Sequence, residues 1–341
     1  MHHVHLPSLP WNEGKSPTGK FHSFSRNVSL ALGGRSNTGT WGGGHPFDVQ
    51  IRRIPAGAAV CPYHGHLAQW ELFTVWGGEG RVRTAEGDFS VKVGDTFVQP
   101  PGTPHQLWSA GSGELEVMIV ADNPPLESCF YPDSNKRSLR PPGKVFRIEE
   151  VNYFDGEDEV TADTPPFRGA PAPELPVAAP FAQRRVNADE LAWDVYESPK
   201  GKFLAEGKEL SIACGAKRNT PTGLGGHPFD LELNRLRPGR TGCPFHSHAA
   251  EWEMFIILSG TADVRLSTET RRLVAGDVVL HPPGEAHQIT NASATEELLF
   301  YIVAENAPVD YWFYPDTGKW GLRSPRKFFR PTEVEFWDGE E

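Results

Sequence analysis

Between residues 48 and 121 the apolar side chains come in short runs separated by polar or turn residues: DVQIRRI, WELFTVWG, GRVRT, FSVKVGD, TFVQP, HQLWS and LEVMIVA. Each run is rich in Val, Ile, Phe or Trp and is bounded by Gly or Pro, a pattern that predicts strands rather than helices. Strands this short and closely spaced predict an all-β architecture, an antiparallel sandwich or barrel with jelly rolls among the options. Helix signals are faint; NADELAW near residue 190 predicts one short turn.

The pattern then repeats. CPYHGHLAQWE at 61–71 returns as CPFHSHAAEWE at 243–253, an offset of 243 − 61 = 182. GGHPFD stands at 43–48 and again at 225–230, and VGDTFVQPPGTPHQ at 93–106 matches AGDVVLHPPGEAHQ at 275–288. After one inserted residue, FYPDSNK at 130–136 pairs with FYPDTGK at 313–319. A period this long indicates duplicated domains, not a solenoid. The expected division is a barrel over 1–155, a Pro/Ala-rich linker over 156–185 and a second barrel over 186–341.

Composition narrows the reading. With 35 Gly and 31 Pro in 341 residues, many short elements joined by turns are expected. A formal charge of −11 argues against a nucleic-acid partner, because phosphate binding needs a basic surface. No apolar run approaches membrane-spanning length, so no membrane partner is expected. Four Cys without a C-x-x-C pattern fit a reduced, cytoplasmic protein. His2, His3 and His5 are read as a terminal tract and assigned nothing.

Histidine is scarce, 13 in all, so a repeated H-x-H is informative. Residues two apart on a strand share a face, which puts His64 beside His66 and His246 beside His248. Glu71 follows after four residues and needs a bulge or bend to turn inward; Glu253 stands in the same relation. His105 and His287 arrive 34 residues after these Glu and are expected on a neighbouring strand. Three neutral imidazoles and one carboxylate suit a divalent transition metal, one per copy, with Fe, Mn, Ni and Zn undistinguished.

These stretches resemble the two cupin motifs, G(x)5–6HxH(x)4E(x)6G and G(x)5PxGxxH. The first is matched by Gly57, His64, His66, Glu71 and Gly78, the second by Gly94, Pro100, Gly102 and His105. In the second copy the matches are Gly239, His246, His248, Glu253 and Gly260, then Gly276, Pro282, Gly284 and His287. The resemblance implies two tandem double-stranded β-helix barrels, each with a metal near its axis. Cupins with this ligand set include dioxygenases of enolic or phenolic compounds and sugar or sugar-phosphate isomerases.

The resulting expectation is a metal-dependent enzyme on a small organic substrate, dioxygenase-like first, isomerase-like second, with a non-catalytic metal or small-molecule binder as the alternative. Glu71 and Glu253 are the expected catalytic groups, since each is the only basic oxygen in its set. Association into a homo-oligomer is left open. Cys61 and Cys243, Trp70 and Trp252 are expected to pack. Gln106 and Gln288 are turned away from the metal. His45 and His227 either touch substrate or the other domain, or sit in turns capped by Asp48 and Asp230. Lys136 and Lys319 either close over an anionic ligand or belong to plain turns.

Overall fold

The computed structural model describes residues 2–35, 40, 43–140, 143–147, 149–150, 178–218, 220–323 and 326–340. Most of the expected linker lies outside the described residues. The predicted runs form strands, among them Phe47–Ile54, Glu71–Gly77, Glu79–Thr84, Asp95–Gln99, His105–Ser109 and Leu115–Asp122. NADELAW supplies only the 3-10 turn Ala188–Glu190, capped by the Asn187 side chain on the Asp189 N–H.

Each copy builds a seven-stranded sheet, a three-stranded sheet and a four-stranded sheet, with every named pair of strands antiparallel. In the first copy the large sheet runs Asp95–Gln99, Glu71–Gly77, Leu115–Asp122, Phe47–Ile54, His22–Asn27 and Asn12–Lys15. Its seventh strand is Arg185–Asn187, from the start of the second copy, paired with Asp95–Gln99. Reciprocally, His2–His5 pairs with Asp277–His281 in the second copy's sheet. The divisions expected at 155 and 186 therefore do not separate two closed units. Each barrel is completed by an edge strand from the other copy's sequence.

Side chains anchor both exchanged strands. His3 and His5 reach Asp277 at 3.0 and 2.9 Å, while Arg185 and Asn187 reach Asp95 at 2.7 and 2.9 Å. Just before Arg185, at the end of the expected linker, Phe181 is wholly buried and Arg184 donates to the Val98 carbonyl and to Gln99.

The core has three parts. Phe73, Phe97, Leu107 and Leu115 fill the first barrel; Phe255, Ile257, Ile289 and Phe300 fill the second. The third part belongs to both copies: Phe47, Ile51 and Met118 pack in one cluster with Phe229, Leu231 and Met254. This joint cluster ties the cores of the two copies together. Its cause is the strand period: on Phe47–Ile54 the residues Phe47, Val49 and Ile51 face the other copy, and Asp48, Gln50 and Arg52 face the barrel interior.

The same interface settles the paired aromatic residues. Trp70 packs on His227 with ring centroids 5.0 Å apart, and Trp252 packs on His45 at 5.3 Å. His45 and His227 thus touch the other domain. Asp48, expected to cap the turn at His45, instead lines the barrel interior near Ser29. Gly78 and Gly260, at φ 78° and 82°, end the first motif because a Cβ there would strike the Glu114 or Glu297 carbonyl.

Candidate metal centres

Each four-residue set is gathered from three places in the chain. His64 and His66 flank Gly65 at the two-residue strand Gly65–His66. His64 and His105 exchange backbone hydrogen bonds, 3.1 and 2.7 Å, across an isolated antiparallel bridge, which sets the His105 ring opposite. Glu71 opens the strand Glu71–Gly77 in the large sheet. The inward return is made by the bend that the spacing called for: the chain turns at Leu67 and Ala68, directly after His66.

Glu127 holds that turn. It accepts from the N–H groups of Leu67, Ala68 and Gln69 at 3.1, 2.9 and 2.7 Å, and from His66 Nδ1 at 3.2 Å. Burial works against its charge, but His66 and these donors keep its carboxyl below the usual range. Asp310 does the same in the second copy, accepting from Ala249, Ala250 and His248 Nδ1 at 3.0, 2.9 and 2.8 Å. Neither residue was identified from sequence. The available signal was an acidic residue three positions before each FYPD.

All six imidazoles point the same way. In the first set the Nδ1 groups donate outward, His64 to the Pro62 carbonyl at 2.9 Å, His105 to Thr103 at 3.1 Å and His66 to Glu127. In the second, His246 donates to Pro244 at 2.9 Å, His287 to Glu285 at 3.1 Å and His248 to Asp310. With Nδ1 donating outward, Nε2 is the ring atom that faces inward, and it is the one that would bind an ion. Glu71 Oε2 stands 3.2 Å from His66 Nε2 and 3.0 Å from His105 Nε2; Glu253 Oε2 stands 3.4 Å from His248 Nε2 and 2.7 Å from His287 Nε2.

Burial works against a charge on Glu71 and Glu253, yet the adjacent histidines outweigh it and hold both carboxyls well below their ordinary range. His66 Nε2 and His248 Nε2 are buried without a good hydrogen-bond partner among the described residues. Converging imidazole nitrogens, one carboxylate and orphaned buried atoms fit a divalent cation. His64, Glu71 and His105, and likewise His246, His248 and Glu253, lie close enough together to share one.

A cupin domain model matches residues 50–121 and again residues 233–304. The chain is a tandem bicupin. Among solved structures it is similar to a variant of the oxalate decarboxylase of Bacillus subtilis, at 15% identity, TM-score 0.52, covering 91% of this chain and 78% of that one. It is also similar to the formate complex of the Lactobacillus farciminis oxalate decarboxylase, at 14% identity, TM-score 0.52, covering 91% and 88%. An uncharacterised protein of Methanocaldococcus jannaschii is 29% identical over 79 residues, 23% of this chain and 55% of that relative. The match thus spans about half the length of that curated relative.

Around the two sets this bicupin is asymmetric. In the first barrel a cavity of ≈ 410 Å³ reaches His64, His66 and Glu71, lined by Asp48, Gln50, Arg52, Tyr131, Ser138 and Arg140. Cys129 also lines it, its Sγ 3.4 Å from His66 Nδ1. In the second barrel Trp312 takes the place of Cys129 and stands edge-on to His248, centroids 6.3 Å apart. Gly321 makes room for it in place of Ser138, since a Cβ there would lie 2.5 Å from the indole. Phe328 stacks behind at 6.1 Å.

The remaining marked residues have structural partners. Gln106 and Gln288 donate to the Cys61 and Cys243 carbonyls, each at 2.8 Å, and so brace the loop before the first histidine. Cys61 and Cys243 are free thiols, 3.5 and 3.8 Å from His64 and His246. Lys136 and Lys319 lie over the rings of Tyr131 and Tyr314, at 5.5 and 4.4 Å. His281, which sequence reading passed over although it replaces Gln99, stacks on His287 at 4.2 Å. No helix among the described residues is long and apolar enough to cross a membrane.

Proposed function

We propose that the chain is a metal-dependent enzyme that acts on a small organic molecule in the first barrel, with dioxygenase-like chemistry as the leading reading. The observation that carries this is the cavity opening onto His64, His66 and Glu71, where the second copy has Trp312. His64, His66, His105 and Glu71 would hold a divalent ion; His246, His248, Glu253 and His287 would hold a second. When bound, such an ion supplies positive charge and open positions that polarise a substrate's oxygen atoms.

The other roles fall to the cavity wall. Glu71 stays the anionic ligand, since its Oε2 already sits between two imidazoles. Asp48 is the proton carrier: burial lifts its carboxyl to about 6, against the opposing pull of Ser29 and Arg140, which suits exchange near neutral pH. Arg52 and Arg140 orient polar groups of the substrate. In this reading the second set steadies its barrel, and Glu253 has no catalytic part.

Decarboxylation of a small acid is the second reading. Its support is the fold neighbours, named as oxalate decarboxylases, one of them with Mn(II) centres. The test is an oxygen-electrode screen of enolic, phenolic and carboxylic compounds with protein loaded with Fe(II) or Mn(II). Oxygen uptake that His64→Ala abolishes supports the first reading. Substrate loss without oxygen uptake supports the second. Turnover that persists in His64→Ala excludes both.

A further inference from the structure

We propose that Arg52 selects the substrate of the first site, and that this substrate is an organic anion whose carboxylate docks on the Arg52 guanidinium while a second oxygen faces the ligand set. The proposal rests on the reading of that site as a metal centre and adds to it a chemical class and a determinant.

Three observations carry it. Arg52 lines the cavity on the same strand face as Asp48 and Gln50. Among the described residues its hydrogen bonds go to neutral oxygens, Nε and Nη2 to Gln50 Oε1 at 3.3 and 3.1 Å and Nη1 to Ser23 Oγ at 3.2 Å. Its neighbour Arg53 points the other way and is paired with Glu116 at 2.6 Å. A guanidinium fork presented to a cavity over neutral partners matches a carboxylate in both charge and shape.

The second copy shows what the first would be without this feature. Residues 50 and 52 are Gln and Arg; their counterparts 232 and 234 are Glu and Asn, so the pair's formal charge passes from +1 to −1. Glu232 stands close enough to Glu253 for the two carboxylates to interact. Gln69 is likewise replaced by Glu251, which takes up Arg323, the counterpart of Arg140, whereas Arg140 donates to the neutral Gln69 at 3.0 Å. One barrel presents Arg52 to its cavity. The other has Asn234 at that place, with Glu232 two residues before it on the same strand face.

The test loads the protein with Mn(II) and titrates it with malonate, then with its uncharged analogue malonamide, following the Mn(II) resonance and the water-proton relaxation. Wild type binds malonate in preference to malonamide. Arg52→Asn, the second copy's residue, weakens malonate about 30-fold, the loss expected for one charged hydrogen-bonding partner, and leaves malonamide and Mn(II) uptake unchanged. Arg52→Lys recovers part of the affinity. Gln50→Glu, which leaves Arg52 in place and adds the second copy's carboxylate, also weakens malonate, and it decides the question if Arg52→Asn fails to fold. Undiminished malonate binding in Arg52→Asn, or in Gln50→Glu where the former does not fold, overturns the proposal. So does a wild type that takes up Mn(II) and ignores malonate, a result that leaves the metal centre standing. Failure of wild type to take up Mn(II) removes the metal-centre reading and this proposal with it.

Discussion

The two barrels hold nearly the same four side chains in nearly the same places and surround them differently. Ring centroids of the paired histidines lie 5.0, 4.7 and 6.2 Å apart in the first set and 5.0, 4.9 and 6.2 Å apart in the second. Beyond the ligands the match ends. Cys129, Ser138, Gln50 and Arg52 face one cavity, and Trp312, Gly321, Glu232 and Asn234 stand at the corresponding positions of the other. The difference teaches that backbone bridges and turn-holding carboxylates fix coordination geometry, while wall residues set access and charge independently.

Exchanging the wall residues tests that lesson most severely. Cys129→Trp with Ser138→Gly should place the second barrel's indole beside the first ligand set, abolishing small-molecule binding and turnover while the ion is retained. Metal analysis beside a binding titration checks it. Full binding in the double variant would show that Trp312 does not account for the asymmetry.

The shared core predicts a large effect on stability. Phe229 is fully buried where the two copies meet, so Phe229→Ala should cost about 3–5 kcal/mol. Because the cluster and both exchanged strands join the copies, calorimetry should show one unfolding transition moving down as a unit. Two transitions, only one of them shifted, would mean the barrels are energetically separate.

A smaller effect is expected from the residues that hold the turns. Glu127→Gln removes the charge that orients His66 and should lower metal affinity at the first set by about 10–100-fold. Asp310→Asn should do the same at the second set only, as separate metal titrations would reveal.

The smallest effect is a pH dependence at the interface. Burial lifts Asp122 and Glu305, which flank the paired Trp residues, to about 7 each, against the opposing pull of the Trp70 and Trp252 N–H groups. Unfolded carboxyls titrate near about 4, so the folded state holds the extra protons between the two values. Their stabilising contribution is complete below about pH 4 and is lost as pH rises through about 7. His227, depressed to about 4 by burial, works in the opposite sense, its contribution complete above about 6.5. Between about pH 6.5 and 8 the slope from these two carboxyls adds to that of Glu232, Glu251 and His64, raised to about 7, 8 and 9. Melting temperature should fall across that window in metal-free protein, and Asp122→Asn with Glu305→Gln should make the fall shallower.

How much of this was legible from sequence depends on range. Strands and turns are written locally, in alternation and in Gly and Pro, and the paired motifs place all eight candidate ligands by their spacing. The exchanged strands were not legible, because HHVH and RVN carry no mark of which sheet they join. Glu127 and Asp310 act on histidines 61 and 62 residues away, through a fold that spacing alone does not supply. Asp48 was misplaced because a Pro-Phe-Asp turn and the first residues of a strand read alike. The asymmetry of the residues around the two sets was present as mismatches such as Cys129 against Trp312, but a mismatch acquires meaning only once its neighbours are known.

The central claim is that each copy holds its own ion and that only the first copy works on substrate. Metal content and turnover, measured side by side in His64→Ala and His246→Ala, test it most directly. Wild type should hold two ions per chain and each variant about one, since the two sets share no ligand. Turnover should vanish in His64→Ala and persist in His246→Ala. Loss of both ions from either variant, or activity that survives in His64→Ala and disappears in His246→Ala, would contradict the account.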